Sequence, residues 1–493
     1  METVYIGSER EVFWDDYIVD TEKTTAKTRV HSPVRKELVM SFNEPWEGAH
    51  CYFINMFRDT DRFRMYYHAS NGGSPSGVRI CYAESADGIR WVKPKLGICE
   101  FAGSRENNIV LSEKEIPDVE HPQTDNMFVF KDKNPACPAD ERYKGVSNCC
   151  ANGTSALKCF VSADGLHFRY GWDLYERKSF FDSLNTAFYD PRRNRYFCYF
   201  RGWHPSGELI GAETSPDIEG RTLTRDIRVM ESEDFHHWSE PKQLDYGKNA
   251  RDFHLYTNNI EPYYRAPQIY VGFPARYTDR SRWTDNYEKL CGREERLERV
   301  RGGVPRFGYA VTDCLFMCSR DGERFYRPDE AFLRPGPEND WSWRYGDCFM
   351  NAGMFEVPSP FPNEAPELSF LSPTKRWTHE KSGNLLHRYG IRVDGFISRY
   401  AGFDTAVLET KPFIFSGNKL AINFETAAAG SVYVELTDQN GKTMESFRSA
   451  ELFGNAIDRE VGFEGDLGAM QGKTVRLRFR MSDADLYSFR FIR

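Results

Sequence analysis

The sequence predicts an all-β chain: a β-propeller of four or five four-stranded blades, followed by a C-terminal β-sandwich. Three observations predict it. A corner motif, Ser-x-Asp-(Gly/Phe)-x-x-(Trp/Phe), recurs at Ser85–Trp91, Ser162–Phe168, Ser232–Trp238 and Ser319–Phe325. An early hairpin recurs in phase with these corners. Beyond about residue 402 the long units give way to short alternating strands. A repeat in two phases specifies a radial or linear array before any local signal is considered.

Each corner follows an alternating apolar run, such as Val78 to Glu84. Asp bonds its own backbone in a turn, and Gly accepts a positive φ. The aromatic residue then pins the turn onto the next strand. The corner serines stand about 70 to 90 residues apart, enough for one four-stranded sheet with loops. The corner aspartates Asp87, Asp164, Asp234 and Asp321, and with them Trp91 and Trp238, are therefore read as structural and peripheral.

In chain order, Glu11 to Val19 reads as a strand. Unit one has strands at Tyr52–Phe57 and Phe63–Tyr67, then a Gly- and Ser-rich loop over 71–77 and the first corner. Unit two has Met127–Phe130, Tyr143–Val146 and Leu157–Val161. Unit three has Asn185–Tyr189, the turn Asp190-Pro191, and Tyr196–Phe200. Unit four has Ile260–Tyr264 and Ile269–Phe273, with a long insertion at about 276–306 whose Glu- and Arg-rich stretch Tyr287–Arg301 reads as an exposed helix, either simply solvated or a rim element over a pocket, the first favoured by its charges. A fifth unit, from Phe349 to Phe396, lacks the Ser-x-Asp corner, as a terminal repeat does, and the N-terminal strand completes it to close the ring. The tail has strands at Leu420–Phe424, Ser431–Leu436 and Thr474–Arg480, with a hairpin turn at Asp438-Gln439-Asn440-Gly441.

Bulk composition narrows the function. A formal net charge of -8 argues against nucleic acid as a partner. No run reaches the length of a membrane span, and the first residues carry no basic or apolar leader. The 12 cysteines are scattered without a C-x-x-C pair, so zinc spacing is absent and reduced thiols in a cytoplasmic setting are expected. No metal or other cofactor is indicated, and there is no phosphate loop, His-Glu-x-x-His or G-x-S-x-G elbow. Aromatic residues make up 15%, which suits strands and sugar-stacking surfaces alike.

A propeller followed by a β-sandwich resembles the five-bladed glycoside hydrolases of families 32, 43 and 68, and within them the family 32-like group. The likeness rests on Pro45-Trp46-Glu47-Gly48, Tyr82 to Trp91, Phe181-Asp182-Ser183-Leu184-Asn185, Ser319 to Gly322, Arg392 to Phe396 and Asp483 to Phe489. It implies a five-bladed propeller over residues 1–400 and a sandwich over 401–493. It also implies cleavage of a glycosidic bond, exo-acting on a furanoside or related oligosaccharide, by acids on the first strands of the first three blades. On that implication Glu47 is nucleophile or base, Asp125 fixes the sugar and Asp182 is the general acid, with the roles exchangeable. The chain departs from the family pattern in having no Trp-x-Asn-Asp-Pro, no Arg-Asp-Pro at blade two and no Glu-Cys pair at blade three.

Supporting positions are Trp46, Arg201, His254, Glu261, Arg276 and Arg344, as stacking surfaces or forked donors to a carbohydrate substrate. For each acid a structural role competes with the catalytic one, and for each supporting residue packing or ion pairing does. Two other functions fit the same pattern: a phosphorylase or transglycosylase drawing on Arg201, Arg276 and Arg344 for phosphate, and a carbohydrate-binding propeller without catalysis.

Overall fold

A computed structural model describes residues 3–70, 77–116, 125–151, 154–177, 181–206, 223–280, 282–302, 305–375 and 384–493. The Gly- and Ser-rich loop expected after the first hairpin lies, over 71–76, outside the described residues. The described part is mostly β, in antiparallel sheets that follow the chain.

Five four-stranded sheets come in succession. Sheet 1 is His50–Asp59, Arg62–Ser70, Arg79–Ser85 and Ile109–Ser112. Sheet 2 is Asp125–Lys131, Tyr143–Ala151, Thr154–Ser162 and Arg169–Arg177. Sheet 3 is Thr186–Asp190, Arg195–Pro205, Leu223–Ser232 and Lys242–Gln243. Sheet 4 is Glu261–Tyr263, Ala266–Gly272, Met317–Ser319 and Phe325–Tyr326, and a three-stranded sheet of His254–Leu255, Ala275–Asp279 and Ala310–Cys314 accompanies it. Sheet 5 is Phe355–Val357, Glu367–Thr374 and Leu385–Arg392, completed by Val34–Ser41 from near the N-terminus.

The four corners behave alike. In each, the Asp Oδ1 accepts from two backbone amides. For Asp87 these are Ile89 and Arg90, at 2.9 and 2.8 Å, and for Asp321 they are Glu323 and Arg324, at 2.8 and 2.7 Å. The Ser Oγ accepts the amide of the residue after the Asp and donates to the Asp carboxylate. Gly88, Gly165 and Gly322 take φ of 77°, 78° and 86°. Phe235 takes φ 69° at the same position. A left-handed non-glycine residue costs roughly 1–2 kcal/mol. Here burial of the Phe235 ring against Phe130, Tyr196 and Trp238 offsets it.

The corners also join one sheet to another. The carbonyl of Gly165 accepts from Tyr66 Oη of sheet 1 at 2.8 Å, and that of Gly322 from Tyr199 Oη of sheet 3 at 2.9 Å. A second set of ties runs along the first strands. Asp59, Asp132 and Asp190, at or just past the ends of the first strands of sheets 1, 2 and 3, accept from Tyr143, Tyr196 and Tyr270 of the following sheet, the first two at 2.6 and 2.8 Å. The fifth sheet packs back on the first: Met56 N–H donates to Ala352 O at 2.9 Å, and Phe355 lies in one apolar core with Met56, Phe63 and Met65.

The remaining sheet differs from expectation in its membership. It has ten strands and takes in Val4–Gly7, Glu11–Val12 and Lys27–Val30 as well as Ile397–Ala401 and everything after it. The opening strand expected to close the ring is therefore only two residues long and pairs with Phe489 and Ser488, while Val34–Ser41 completes sheet 5 instead. The reason is apolar: Phe13, Ile18 and Val19 are buried in the core of the C-terminal sheet with Phe413, Phe479 and Phe489. Leu420–Phe424 and Ser431–Leu436, read as two strands, are parts of one bent strand, Lys419–Asp438, whose register shifts between Thr426 and Ser431. The turn after it forms as expected, with Asp438 Oδ1 accepting from Asn440 and Lys442. Asp394 joins this sheet to sheet 4, accepting from Tyr263 Oη at 2.6 Å and facing Arg10 and Arg265.

The charged insertion forms helices at Asp285–Lys289 and Arg293–Arg301. The second is docked rather than simply solvated. Arg296 is buried, and its Nη2 donates to the carbonyls of Ser342 and Trp343 at 3.1 and 2.6 Å.

Candidate functional site

The segments leading into the first strands of the sheets meet in one aromatic cluster. Phe53 of sheet 1, Leu184 ahead of sheet 3, Tyr256 ahead of sheet 4, and Tyr345 and Phe349 ahead of sheet 5 share it, with Phe128 of sheet 2 at its edge. Asp182 lies beside this cluster. The loop that carries it is fixed by its own residues: Phe181 and Leu184 are buried, Ser183 Oγ donates to Tyr256 O at 2.6 Å, and Asn185 Nδ2 donates to the carbonyls of Phe181 and Ser183 at 3.0 Å. This turns the Asp182 carboxylate outward with its side chain 50% exposed.

Sheets 2 and 3 and the segment before sheet 4 supply its partners. Asn126 Nδ2 from sheet 2 donates to Asp182 Oδ1 at 3.1 Å. Tyr256 Oη donates to Oδ2 at 3.4 Å, and Arg201 Nη2 from sheet 3 stands 3.4 Å from the same oxygen. Asn126 has φ 61°, a conformation that Asn tolerates better than most residues. Asp125, one residue earlier, opens the first strand of sheet 2 opposite Asn148. Its side chain lies outside the described residues.

Arg201 and Arg225 flank this carboxylate's neighbourhood on one face of sheet 3. Trp203 pairs with Arg225 across the strands, and Arg201 lies two residues before Trp203, so all three project to the same side. The Arg201 guanidinium lies 4.7 Å from the Tyr256 ring centre and 5.4 Å from that of Trp203. The Arg225 guanidinium lies 4.8 Å from both Trp203 and Tyr277. Burial, and next the charge of Arg201, pulls Arg225 below the usual guanidinium range. His254 supports it from the accompanying sheet: its Nδ1 accepts the Arg225 backbone N–H at 3.1 Å. Burial and the Arg225 charge push His254 down to about 4, so the ring is a neutral acceptor at neutral pH. His204, further along the strand, bonds Asp226 and Asp252, each at 3.1 Å. Burial opposes its charge, but the two carboxylates outweigh burial and push it up to about 9.

The other expected site residues have partners elsewhere. Glu47 is a correction to the sequence reading. It is 0% exposed, and its oxygens are taken by Tyr67 Oη at 2.6 Å, Lys93 Nζ at 2.8 Å and the Glu44 amide at 2.9 Å, all within or beside sheet 1. A carboxylate so enclosed cannot meet a substrate. Trp46 donates to Asn108 Oδ1 at 2.6 Å in the same region. Arg276 is held by Asp313 through a double contact at 2.9 and 2.5 Å, and Arg344 by Glu295 and the carbonyl of Asp340, so neither is free to bind phosphate. Glu261 opens the first strand of sheet 4, partly buried; burial pushes it up to about 7 against the opposing pull of Lys133 and the Gly353 amide.

Of the residues expected from the sequence, the structure brings Asp182, Arg201 and His254 into one neighbourhood, together with Asn126, Trp203, Arg225 and His204, which the sequence did not single out. One signal was available: Leu223–Val229 alternates with Arg225 in phase with Ile227, marking Arg225 as facing the same way as a core residue. Among the described residues no group of three His, Cys, Asp or Glu side chains could hold a metal ion, and no helix is long and apolar enough to cross a membrane. The described cysteines are free thiols.

No family model matches the chain, and no curated protein does. Several solved structures match the chain. A glycoside hydrolase matches with TM-score 0.45 and 11% identity, over 74% of this chain and 93% of its own. An N-acetylgalactosamine deacetylase from F. plautii, in complex with blood group B trisaccharide, matches with TM-score 0.39 and 11% identity, over 98% and 94%. A fructofuranosidase from Schwanniomyces occidentalis, complexed with fructosylnystose, matches with TM-score 0.39 and 10% identity, over 94% and 98%.

Proposed function

We propose that this protein is a glycoside hydrolase built on a five-bladed β-propeller, with the ten-stranded sheet as an appended β-sandwich, and that Asp182 is one of its two working carboxylates. The cyclic packing of five four-stranded sheets supports the architecture. The observation that carries the function is the convergence on Asp182: a half-exposed carboxylate receives side chains from sheets 2 and 3 and from the segment before sheet 4.

Glycoside cleavage needs two carboxyl groups across the bond. Asp125, next to the Asn126 that reaches Asp182, is the proposed partner. The donors around Asp182 suit a carboxylate acting as base or nucleophile, so the acid falls to Asp125. Asp182→Asn is expected to lower turnover of the cleaved substrate by about 10²–10⁴-fold. The assay is a screen of aryl glycosides and oligosaccharides with released-sugar detection, with and without phosphate. Turnover within a few-fold of wild type removes Asp182 from catalysis.

A second reading, a carbohydrate-binding propeller without catalysis, is favoured by the enclosure of Glu47 and the aromatic lining of the cluster. It predicts sugar binding with no product in any arm of that screen.

A further inference from the structure

Arg201 and Arg225 are the least compensated charges at this site. They are 3% and 9% exposed, and the Arg201 guanidinium is close enough to disfavour the charge of Arg225. Among the described residues, Arg201 has one carboxylate within ion-pair distance, the half-exposed Asp182 at 3.4 Å, and Arg225 has none. Among the described residues the Nε of each has no hydrogen-bond acceptor, and the one acceptor at the Arg225 fork is His254 Nδ1 at 3.5 Å, already engaged by the Arg225 amide. Buried charge without a partner is expensive, and proteins keep it where a ligand supplies the partner. Several other buried arginines have a carboxylate partner: Arg476 has Asp20 and Glu409, Arg228 has Asp226, and Arg388 has Glu37 and Glu367, while Arg296 donates to two backbone carbonyls instead.

We infer that Arg201 and Arg225 form a subsite for an anionic group on the substrate, and that the sugar bound beside Asp182 carries a carboxylate, as a uronic acid does. This rests on the reading of Asp182 as part of a sugar site. Two facts select a monoanion of planar shape. Two guanidinium charges less one Asp182 carboxylate leave a single positive charge, which one substrate carboxylate neutralises. The guanidinium groups lie against the Trp203, Tyr256 and Tyr277 rings, and among the described residues their forks meet only Asp182 and His254 Nδ1 at 3.4 and 3.5 Å, which leaves donors for the two-point contact a carboxylate accepts. The neutral His254 adds no charge, and His204 is already matched by Asp226 and Asp252.

The test is calorimetric titration of the full chain with D-galacturonate, D-glucuronate, D-galactose, D-glucose and inorganic phosphate. At least one uronate is expected to bind at least about tenfold more tightly than its neutral counterpart, the usual scale for a charge-assisted contact. Arg225→Gln is expected to abolish that preference while leaving the weak binding of the neutral sugar, and Arg225→Lys to retain part of it. Equal binding of uronates and neutral sugars by wild type overturns the inference without recourse to any variant. So does a preference that survives in a folded Arg225→Gln protein, or Arg225-dependent binding of phosphate with none of the uronates. The two readings fail separately. A chain that cleaves neutral glycosides in preference to uronosides remains a hydrolase without this subsite. A chain that prefers uronates but cleaves no glycoside keeps the subsite and loses the hydrolase.

Discussion

Replacing Glu47 with Ala separates a structural from a catalytic role for the carboxylate that the sequence placed first in the mechanism. In the fold it is 0% exposed and accepts from Tyr67, Lys93 and the Glu44 amide, with the Lys93 ammonium 14% exposed. Removing it leaves a mostly buried ammonium with the Ser41 carbonyl but no counter-charge, and a buried phenol without its acceptor. Breaking a buried ion pair from one side costs about 3–5 kcal/mol. The unfolding entropy of a cooperative chain is about 2.1 cal/mol/K per residue. For 493 residues this gives about 1 kcal/mol/K, so Tm is expected to fall by about 3–5 °C. Calorimetry gives the Tm, and turnover of the folded variant, measured well below that Tm, is expected to match wild type. An unchanged Tm with turnover lost would return Glu47 to the catalytic set and refute the reasoning.

Other outcomes follow from the repeated corners. Burial opposes ionisation of Asp87, Asp164 and Asp234, but their hydrogen bonds outweigh it and hold the carboxyls below the usual range. Such groups contribute stability that is full above the unfolded carboxyl value, about 4, and lost as pH falls through the folded value. Denaturant unfolding below about pH 4 should therefore be less steeply pH-dependent in Asp164→Asn than in wild type, and parallel profiles would contradict this. Gly322→Ala places a Cβ at φ 86°, 2.9 Å from both Tyr199 Oη and the Tyr270 ring. It is expected to cost about 1–3 kcal/mol in urea unfolding, and a neutral result would show that the corner relaxes.

The first-strand ties, Asp59 to Tyr143, Asp132 to Tyr196 and Asp190 to Tyr270, show how a turn signal conceals a second role. Asp190 was legible as a turn residue. Each tyrosine stands 64 to 84 residues from its Asp on another sheet, so nothing local distinguished the pairs.

What the sequence by itself determined is what lies within a few residues of itself. The corners formed where the Ser-x-Asp pattern put them, because each Asp and Ser bonds amides two and three positions ahead, and local backbone geometry fixes those contacts. The outward turn of Asp182 is of the same kind, set by Asn185 bonding back to Phe181 and Ser183. Only the tertiary structure decided which charges meet. Glu47 and Asp182 are both acids ahead of a first strand, yet one is enclosed by Lys93, 46 positions away, and the other opens beside Arg201 and Asn126. A carboxylate's role depends on the charge and water around it, and those are set by the strands that packing brings alongside.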